Sequence, residues 1–241
     1  MEDQVNRLVE KTWAKFQSIP SSERFLIAVS GIPGSGKTTL ASTVTKRLNA
    51  LYSGLHGKTS TPPIAGFVPM DGYHLTRAQL SAMPDPKHAH DRRGAEFTFD
   101  GDAFVALVRR VREPLTPESQ TLYAPSFDHA VKDPVQDDIP IEPTTRILVF
   151  EGNYLSLDKE PWRTAAELMD ELWFVDVDFE TARKRLVPRH VKAGIAPTEE
   201  EADKRVREND LVNGEEIVNK RLEVHEVIVS TDDEGWKPEA Q

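Results

Sequence analysis

The chain has 241 residues, 38% of them hydrophobic and 29% charged, with no cysteine and a formal net charge of −10. That length suits one α/β domain, and the missing thiols exclude disulfides and thiolate-bound metals. The acidic balance argues against the basic face a nucleic-acid partner needs for counterion release.

In chain order, Val5, Leu8, Val9, Trp13 and Phe16 recur at helical spacing, so residues 1–20 are expected to hold a leading amphipathic helix ended by Pro20 and Ser21-Ser22. Phe25 to Val29 is a short apolar run of the kind that forms a buried parallel strand. It enters a glycine-rich turn and then a helix-compatible stretch from Thr38 to Leu51. The segment from Tyr52 to Pro63, rich in Gly, Ser, Thr and Pro, reads as a flexible surface loop. Ile64 to Met70 reads as a second strand ending at Asp71-Gly72. Leu75 to Asp102 is crowded with Pro, His, Asp and Arg, and is expected to be an irregular functional region.

A helix follows at Asp102–Arg112, with Phe104, Leu107, Val108 and Val111 on one face. Ile147 to Phe150 and Leu172 to Val175 are the next buried strands, the first ending at Glu151-Gly152 and the second near Asp176 and Asp178. A helix rich in Arg and Lys covers Glu180 to Lys192, and a charged helix covers Thr198 to about Val212. His225 to Ser230 offers a last strand, and the acidic tail 231–241 is expected to fray. Apolar strands alternating with helices indicate one α/β domain over 1–241, with a parallel sheet covered on both faces. No apolar run reaches the length of a membrane span, and Glu2 and Asp3 do not fit a signal peptide, so no membrane partner and a cytoplasmic location are expected.

Gly31-Ile32-Pro33-Gly34-Ser35-Gly36-Lys37-Thr38 satisfies G-x-x-x-x-G-K-[ST], after a buried strand and before a helix. The glycines let backbone N–H groups turn inward around a phosphate, and the helix N-terminus adds partial positive charge. Gly31, Pro33, Gly34, Ser35, Gly36, Lys37, Thr38 and Thr39 are therefore the expected ATP-binding residues, with Lys37 reaching the β and γ phosphates and Thr38 ligating Mg²⁺.

Asp71 and Glu151 end the second and third proposed strands, the edge where ligands of open α/β sheets bind. A hydroxyl becomes a competent nucleophile as it loses its proton, and Asp71 is expected to accept that proton and to lie near the metal. Glu151 is expected to hold Mg²⁺ directly or through water, although the two roles are interchangeable on sequence alone. A base favours an alcohol acceptor over a phosphate acceptor, which needs cations and no base.

Arg183, Lys184, Arg185, Arg189, His190 and Lys192 form a basic cluster, from which Arg185 and Arg189 are the expected catalytic stabilisers of the transferring group. Gly194 and Pro197 supply hinges, so about 183–197 is expected to act as a lid. Tyr73, His74, Arg92, Arg93, Tyr123, Phe127, Asp128 and His129 lie in irregular regions and offer the aromatic and polar walls of a small-molecule acceptor pocket. His88 and His90 are closely spaced, but no third ligand accompanies them.

Together the motifs GIPGSGKT (31–38), MDGYHL (70–75), DRRGAEFTFD (91–100), SFDH (126–129), FEGNYL (150–155) and RKRLVPRH (183–190) resemble the uridine kinase, type I pantothenate kinase and phosphoribulokinase group of P-loop kinases, most nearly its fungal and bacterial uridine-kinase-like members. The resemblance implies a three-layer α/β/α fold with a five-stranded parallel sheet and a helical lid, ATP as donor, Mg²⁺ and a small hydroxyl-bearing acceptor. It implies Asp71 as the catalytic aspartate, Arg93 as a residue that contacts the acceptor or organises its loop, and Arg185 and Arg189 as lid arginines. It also places Asn213 near the adenine and leaves room for a homodimer. Gly72-Tyr73-His74 stands where uridine kinases have Ser-Phe-Tyr, and Phe127-Asp128-His129 replaces their tyrosine–aspartate–phenylalanine element, so uridine does not follow as the acceptor. A GTPase reading fails at Asn219-Lys220-Arg221-Leu222, which lacks the aspartate of N-K-x-D. A nucleotide-binding scaffold without phosphotransfer is the alternative to the kinase.

Overall fold

The computed structural model describes residues 1–57 and 62–231. Its centre is a parallel sheet of β1 (Phe25–Gly31), β2 (Ala65–Pro69), β5 (Ile147–Glu151), β6 (Glu171–Asp176) and β7 (Glu226–Val229) in the order β2-β5-β1-β6-β7. Every residue of β1 and β5 is buried. Successive side chains point to opposite faces, so each central strand feeds two cores. Leu26, Ala28, Leu148, Phe150, Leu172 and Phe174 join one; Phe25, Ile27, Val29, Ile147, Val149, Trp173 and Val175 join the other. Each large aliphatic side chain so buried contributes roughly 1.5–3 kcal/mol.

The first core is closed by α5 (Gly101–Val111), α6 (Trp162–Glu167) and α9 (Leu211–Asn219), through Phe104, Val108, Trp162 and Ile217. The second is closed by α1 (Glu2–Phe16) and α2 (Lys37–His56), through Val5, Leu8, Leu40, Val44 and Leu48. This is the expected three-layer P-loop architecture. α1 also covers the exposed edge of β7: the Gln4 side chain accepts from Val229 N–H at 3.1 Å and donates to Val229 O at 3.0 Å, which blocks pairing there. Beneath it, the buried Glu171 is bonded by Lys11, Lys15 and the Trp173 indole N–H.

Several expectations are corrected. α2 continues to His56 and stops at Gly57, whose φ of +62° is open to glycine, so Tyr52–His56 is helix, not loop. The remainder of that loop at 58–61, and the tail at 232–241, lie outside the described residues. The irregular 75–102 region contains α3 (Arg77–Ser81), α4 (Pro86–Asp91) and a 3₁₀ turn at Glu96–Thr98, started by the side chains of Thr76 and Asp85 in the first two cases. The charged helix splits into α8 (Glu199–Arg205), a π turn (Val206–Asp210) and α9.

A two-stranded antiparallel hairpin, β3 (Leu122–Asp128) with β4 (Asp133–Ile141), stands apart from the main sheet where no element was expected. Neither strand has a clean apolar face, and Pro125, Pro134 and Pro140 interrupt any alternation. Its seat is Gly72, where a Cβ would lie 2.0 Å from Pro125 O. None of the described helices is long and apolar enough to cross a membrane.

Candidate active site

The loop between β1 and α2 lies at the C-terminal edge of the sheet. Gly34 (φ +80°) and Gly36 (φ +90°) take left-handed conformations that L side chains resist. A Cβ on Gly31 would lie 2.7 Å from both Ser35 Oγ and Val175 O, and one on Gly34 would lie 2.9 Å from Ala182 O. Helix α7 (Phe179–Lys192), which carries Ala182, therefore rests directly on the loop. Pro33 is buried within the loop, and Thr38 and Thr39 are half-buried in the first turn of α2. Ser35 Oγ is buried with no hydrogen-bond partner, as an acceptor-seeking hydroxyl in a phosphate cradle should be.

Lys37 Nζ sits 3.8 Å from Glu151 Oε1 and 3.5 Å from Ile32 O. Burial lowers the Lys37 pKa; the nearby Arg189 charge works in the same direction, while the Glu151, Asp71 and Asp210 charges oppose it. Burial pushes Glu151 up to about 7, with Asp71 adding repulsion, while Lys37, the Thr38 hydrogen bond and Arg189 pull it down. Lys37 and Glu151 attract each other across 3.8 Å, yet burial outweighs that attraction and favours the neutral form of each. Such a pair fits a guest that brings anionic phosphates to Lys37 and a divalent cation to Glu151. Thr38 and Glu151, with Asp71 alongside, are the oxygen donors that could hold a divalent cation such as Mg²⁺, which takes few protein ligands when phosphates supply the rest. Among the described residues there is no group of three or more His, Cys, Asp and Glu able to hold a metal without such help, and His88 instead stacks on Phe97 while His90 bonds Ser81.

Asp71 lies on the 3₁₀ turn Met70–Tyr73 that follows β2, with its side chain 51% exposed. It is close enough to Lys37 and Glu151 to influence both. From above, Arg185 donates to Gly34 O at 3.1 Å and to Ser230 Oγ at 2.9 Å. Arg189, one turn further along α7, is solvent-exposed yet near enough to Lys37 and Glu151 to act on their charges. The phosphate end expected from the sequence is thus gathered in one place.

On the acceptor side the structure sorts the expected residues. His74 is packed between Phe99 (4.0 Å between centroids) and Phe127 (4.9 Å), and burial lowers its pKa, so the ring is neutral at pH 7. Arg93 lies over Phe127 at 5.6 Å and donates to Lys132 O at 2.6 Å and to Asp133 Oδ1 at 3.2 Å, tying its loop to the hairpin tip. His129 is exposed at that tip, edge-on to Phe127. Asp128 is a turn residue: Oδ1 accepts from Ala130 and Val131 N–H, which lowers its pKa. Tyr73 is buried against Phe104 as a core residue, its pKa raised by burial, although its edge reaches a cavity of about 280 Å³ behind residues 72–76. Tyr123 lines the same cavity, which no residue of the phosphate cradle reaches.

Asn213, expected near the adenine, is buried, and its Oδ1 accepts from Arg92 at 2.6 Å. Tyr154 and Asn209 were given no role by sequence. Tyr154 donates to Gly94 O at 2.7 Å and Asn209 to Arg93 O at 3.1 Å, so both grip the Arg92-Arg93-Gly94 loop. Tyr154 lies within the FEGNYL run, yet nothing in the sequence gives either residue this task, because their partners are backbone carbonyls more than fifty positions away.

Residues 26–193 match the phosphoribulokinase/uridine kinase family. The chain belongs to that family. It is 59% identical over 159 residues (66% of this chain, 92% of the relative) to the ATP-dependent kinase-like protein notR' of Aspergillus versicolor. It is 44% identical over 191 residues to a candidate uridine kinase, C227.14, of Schizosaccharomyces pombe, covering 79% of this chain and 77% of that one. Among solved structures, a candidate fructose transport system kinase from Silicibacter sp. TM1040 superposes with a TM-score of 0.77 at 29% identity, over 92% of this chain and 98% of that one. As a member of the phosphoribulokinase/uridine kinase family, the protein is a P-loop kinase in fold and nucleotide cradle, and its relatives differ in the acceptors their names carry.

Proposed function

We propose that the protein transfers the γ-phosphate of Mg²⁺-bound ATP to a hydroxyl of a small metabolite. The observation that carries this reading is the half-exposed Asp71 carboxylate at the end of β2, beside the Lys37–Glu151 pair of the phosphate cradle. A protein that only bound nucleotide would have no use for a solvent-reachable carboxylate there.

Each residue then has a task. The backbone of 31–38 and Lys37 hold the phosphates, while Thr38 and Glu151 hold the cation. When bound, Mg²⁺·ATP supplies the transferable phosphoryl group and the charge that screens it. Asp71 takes the hydroxyl proton as the acceptor oxygen attacks in line, and Arg185 and Arg189 spread the charge that develops on the equatorial oxygens. His74, Phe127 and Arg93 wall the acceptor side. With Nδ1–H donating to Asp71 O at 2.9 Å, a neutral His74 keeps Nε2 as an acceptor for a hydroxyl proton, and the aromatic stack suits a ring or chain rather than a second phosphate.

The test is ADP release with Mg²⁺·ATP over nucleosides, pantothenate, nicotinamide riboside, glycerate, sugars and sugar acids, with Asp71→Asn as control. Turnover that depends on an acceptor and vanishes in the variant supports the kinase and names its substrate class. Binding of ATP without transfer to any of them, and indifference to Asp71→Asn, would instead favour a nucleotide-binding scaffold.

A further inference from the structure

The π turn Val206–Asp210 stands between two sets of buried contacts. Toward the acceptor side, Asn209 Nδ2 and Arg205 Nη2 donate to Arg93 O at 3.1 and 3.4 Å, and Asn213 one turn later accepts from Arg92. Toward the phosphate side, Asp210 Oδ2 lies 2.8 Å from His190 Nε2, and His190 immediately follows Arg189 on α7. The Asp210 charge also reaches Lys37. Asn209 and His190 are each only 4% exposed, so neither can exchange its protein partner for water cheaply. Asn209 Oδ1 and His190 Nδ1 are buried without a partner, so each side chain is held through one anchoring bond to its neighbour across the turn.

A π turn has poorer hydrogen-bond geometry than the α-helix it interrupts and recurs at functional sites. Here it lets adjacent residues face opposite tasks, Asn209 on the acceptor loop and Asp210 on the lid helix. A path of peptide links and two partly buried hydrogen bonds therefore runs from Arg189 through His190, Asp210 and Asn209 to Arg93, and such a path transmits a shift that soft surface contacts would absorb.

We propose that Asn209 and Asp210 are positioning residues that couple the two ends of the site, so that filling the nucleotide cradle tightens the Arg92-Arg93-Gly94 loop before the acceptor arrives. This rests on the kinase reading for the identity of the guest, but it concerns a response to nucleotide alone.

The experiment is amide hydrogen exchange of the full chain over residues 90–99, with and without Mg²⁺ and the non-hydrolysable analogue AMP-PNP, whose affinity is measured in parallel. Wild type should show exchange slowed by about tenfold on binding, inside the usual range of site-to-site coupling. Asn209→Ala and His190→Ala should still bind AMP-PNP but lose that slowing, while His190→Gln, which keeps an N–H for Asp210, should restore it. Where Asn209→Ala does not fold, Arg205→Ala, which drops the other bond to Arg93 O on the same loop, takes its place. A purely structural staple would change the basal exchange and melting temperature of the variants and leave the nucleotide-dependent slowing intact; that result overturns the coupling. AMP-PNP binding to wild type with no change at 90–99 overturns it too and leaves the kinase standing, whereas failure to bind AMP-PNP at all would remove both readings.

Discussion

Gly34→Ala is the sharpest test of how the cradle is built. At φ +80° an L side chain costs about 1–2 kcal/mol of backbone strain. The new Cβ would also lie 2.9 Å from Ala182 O, 3.1 Å from Leu186 Cγ and 3.2 Å from Ala182 Cα. Leu186 can adjust, but the α7 backbone cannot yield without moving the helix, and overpacking of this kind costs about 1–3 kcal/mol. That displacement also breaks the bond from Arg185 to Gly34 O and moves Arg185 and Arg189 away from the loop. At least about 2 kcal/mol should therefore appear as lost nucleotide binding, roughly a 30-fold rise in Kd for Mg²⁺·AMP-PNP by calorimetry. Gly57→Ala is the matched control: its φ is +62°, and among the described residues nothing lies within 4 Å of the added Cβ. It should lose about 1 kcal/mol in urea unfolding from the same backbone strain and bind nucleotide normally. If Gly34→Ala binds as tightly as the control, the contact between cradle and lid helix is not what holds the site.

Asp71→Asn should lower phosphotransfer by about 10²–10⁴-fold with the ATP KM nearly unchanged, because the lost group acts on the acceptor proton and not on the nucleotide; steady-state kinetics on whichever acceptor turns over reads both. Gly72→Ala, whose Cβ would meet Pro125 O at 2.0 Å, should push the hairpin away and depress kcat/KM for the acceptor while AMP-PNP affinity stays within about twofold. Glu171 governs acid stability. Burial works to raise its pKa, but the bonds from Lys15, Lys11 and Trp173 outweigh it and hold the carboxyl below its ordinary value near 4.5. A depressed carboxyl stabilises the fold above that ordinary value and loses its contribution as pH falls through the folded value. Glu171→Gln should accordingly cost about 1–3 kcal/mol in urea unfolding at pH 7, with the gap to wild type narrowing in acid; a gap that widens as pH falls would contradict the assignment.

What sequence alone determined was the sheet and the phosphate end. The strand Phe25–Gly31 is buried at every position and opens with five apolar residues because both faces are covered, and that run is visible without any partner. The Gly31–Thr38 loop is local too: its turn, its left-handed glycines and its helix start are all encoded within eight consecutive residues. Asp71 and Glu151 were legible because they terminate those apolar runs. The acceptor end was not. The hairpin at 122–141 carries no alternating apolar face, so its existence depends on seating against Gly72 and not on its own periodicity. Tyr73 and Asp128 look alike in sequence as pocket residues, and only tertiary packing sets Tyr73 against Phe104 with an edge on the cavity and bonds Asp128 to the backbone of the hairpin tip. Asn213 went to Arg92, and Tyr154 and Asn209 went to backbone carbonyls, because a buried amide or hydroxyl must bond whatever the fold brings near it. Contacts between neighbours in sequence are written in the order of residues, whereas these are set by which surfaces meet once the two cores have closed.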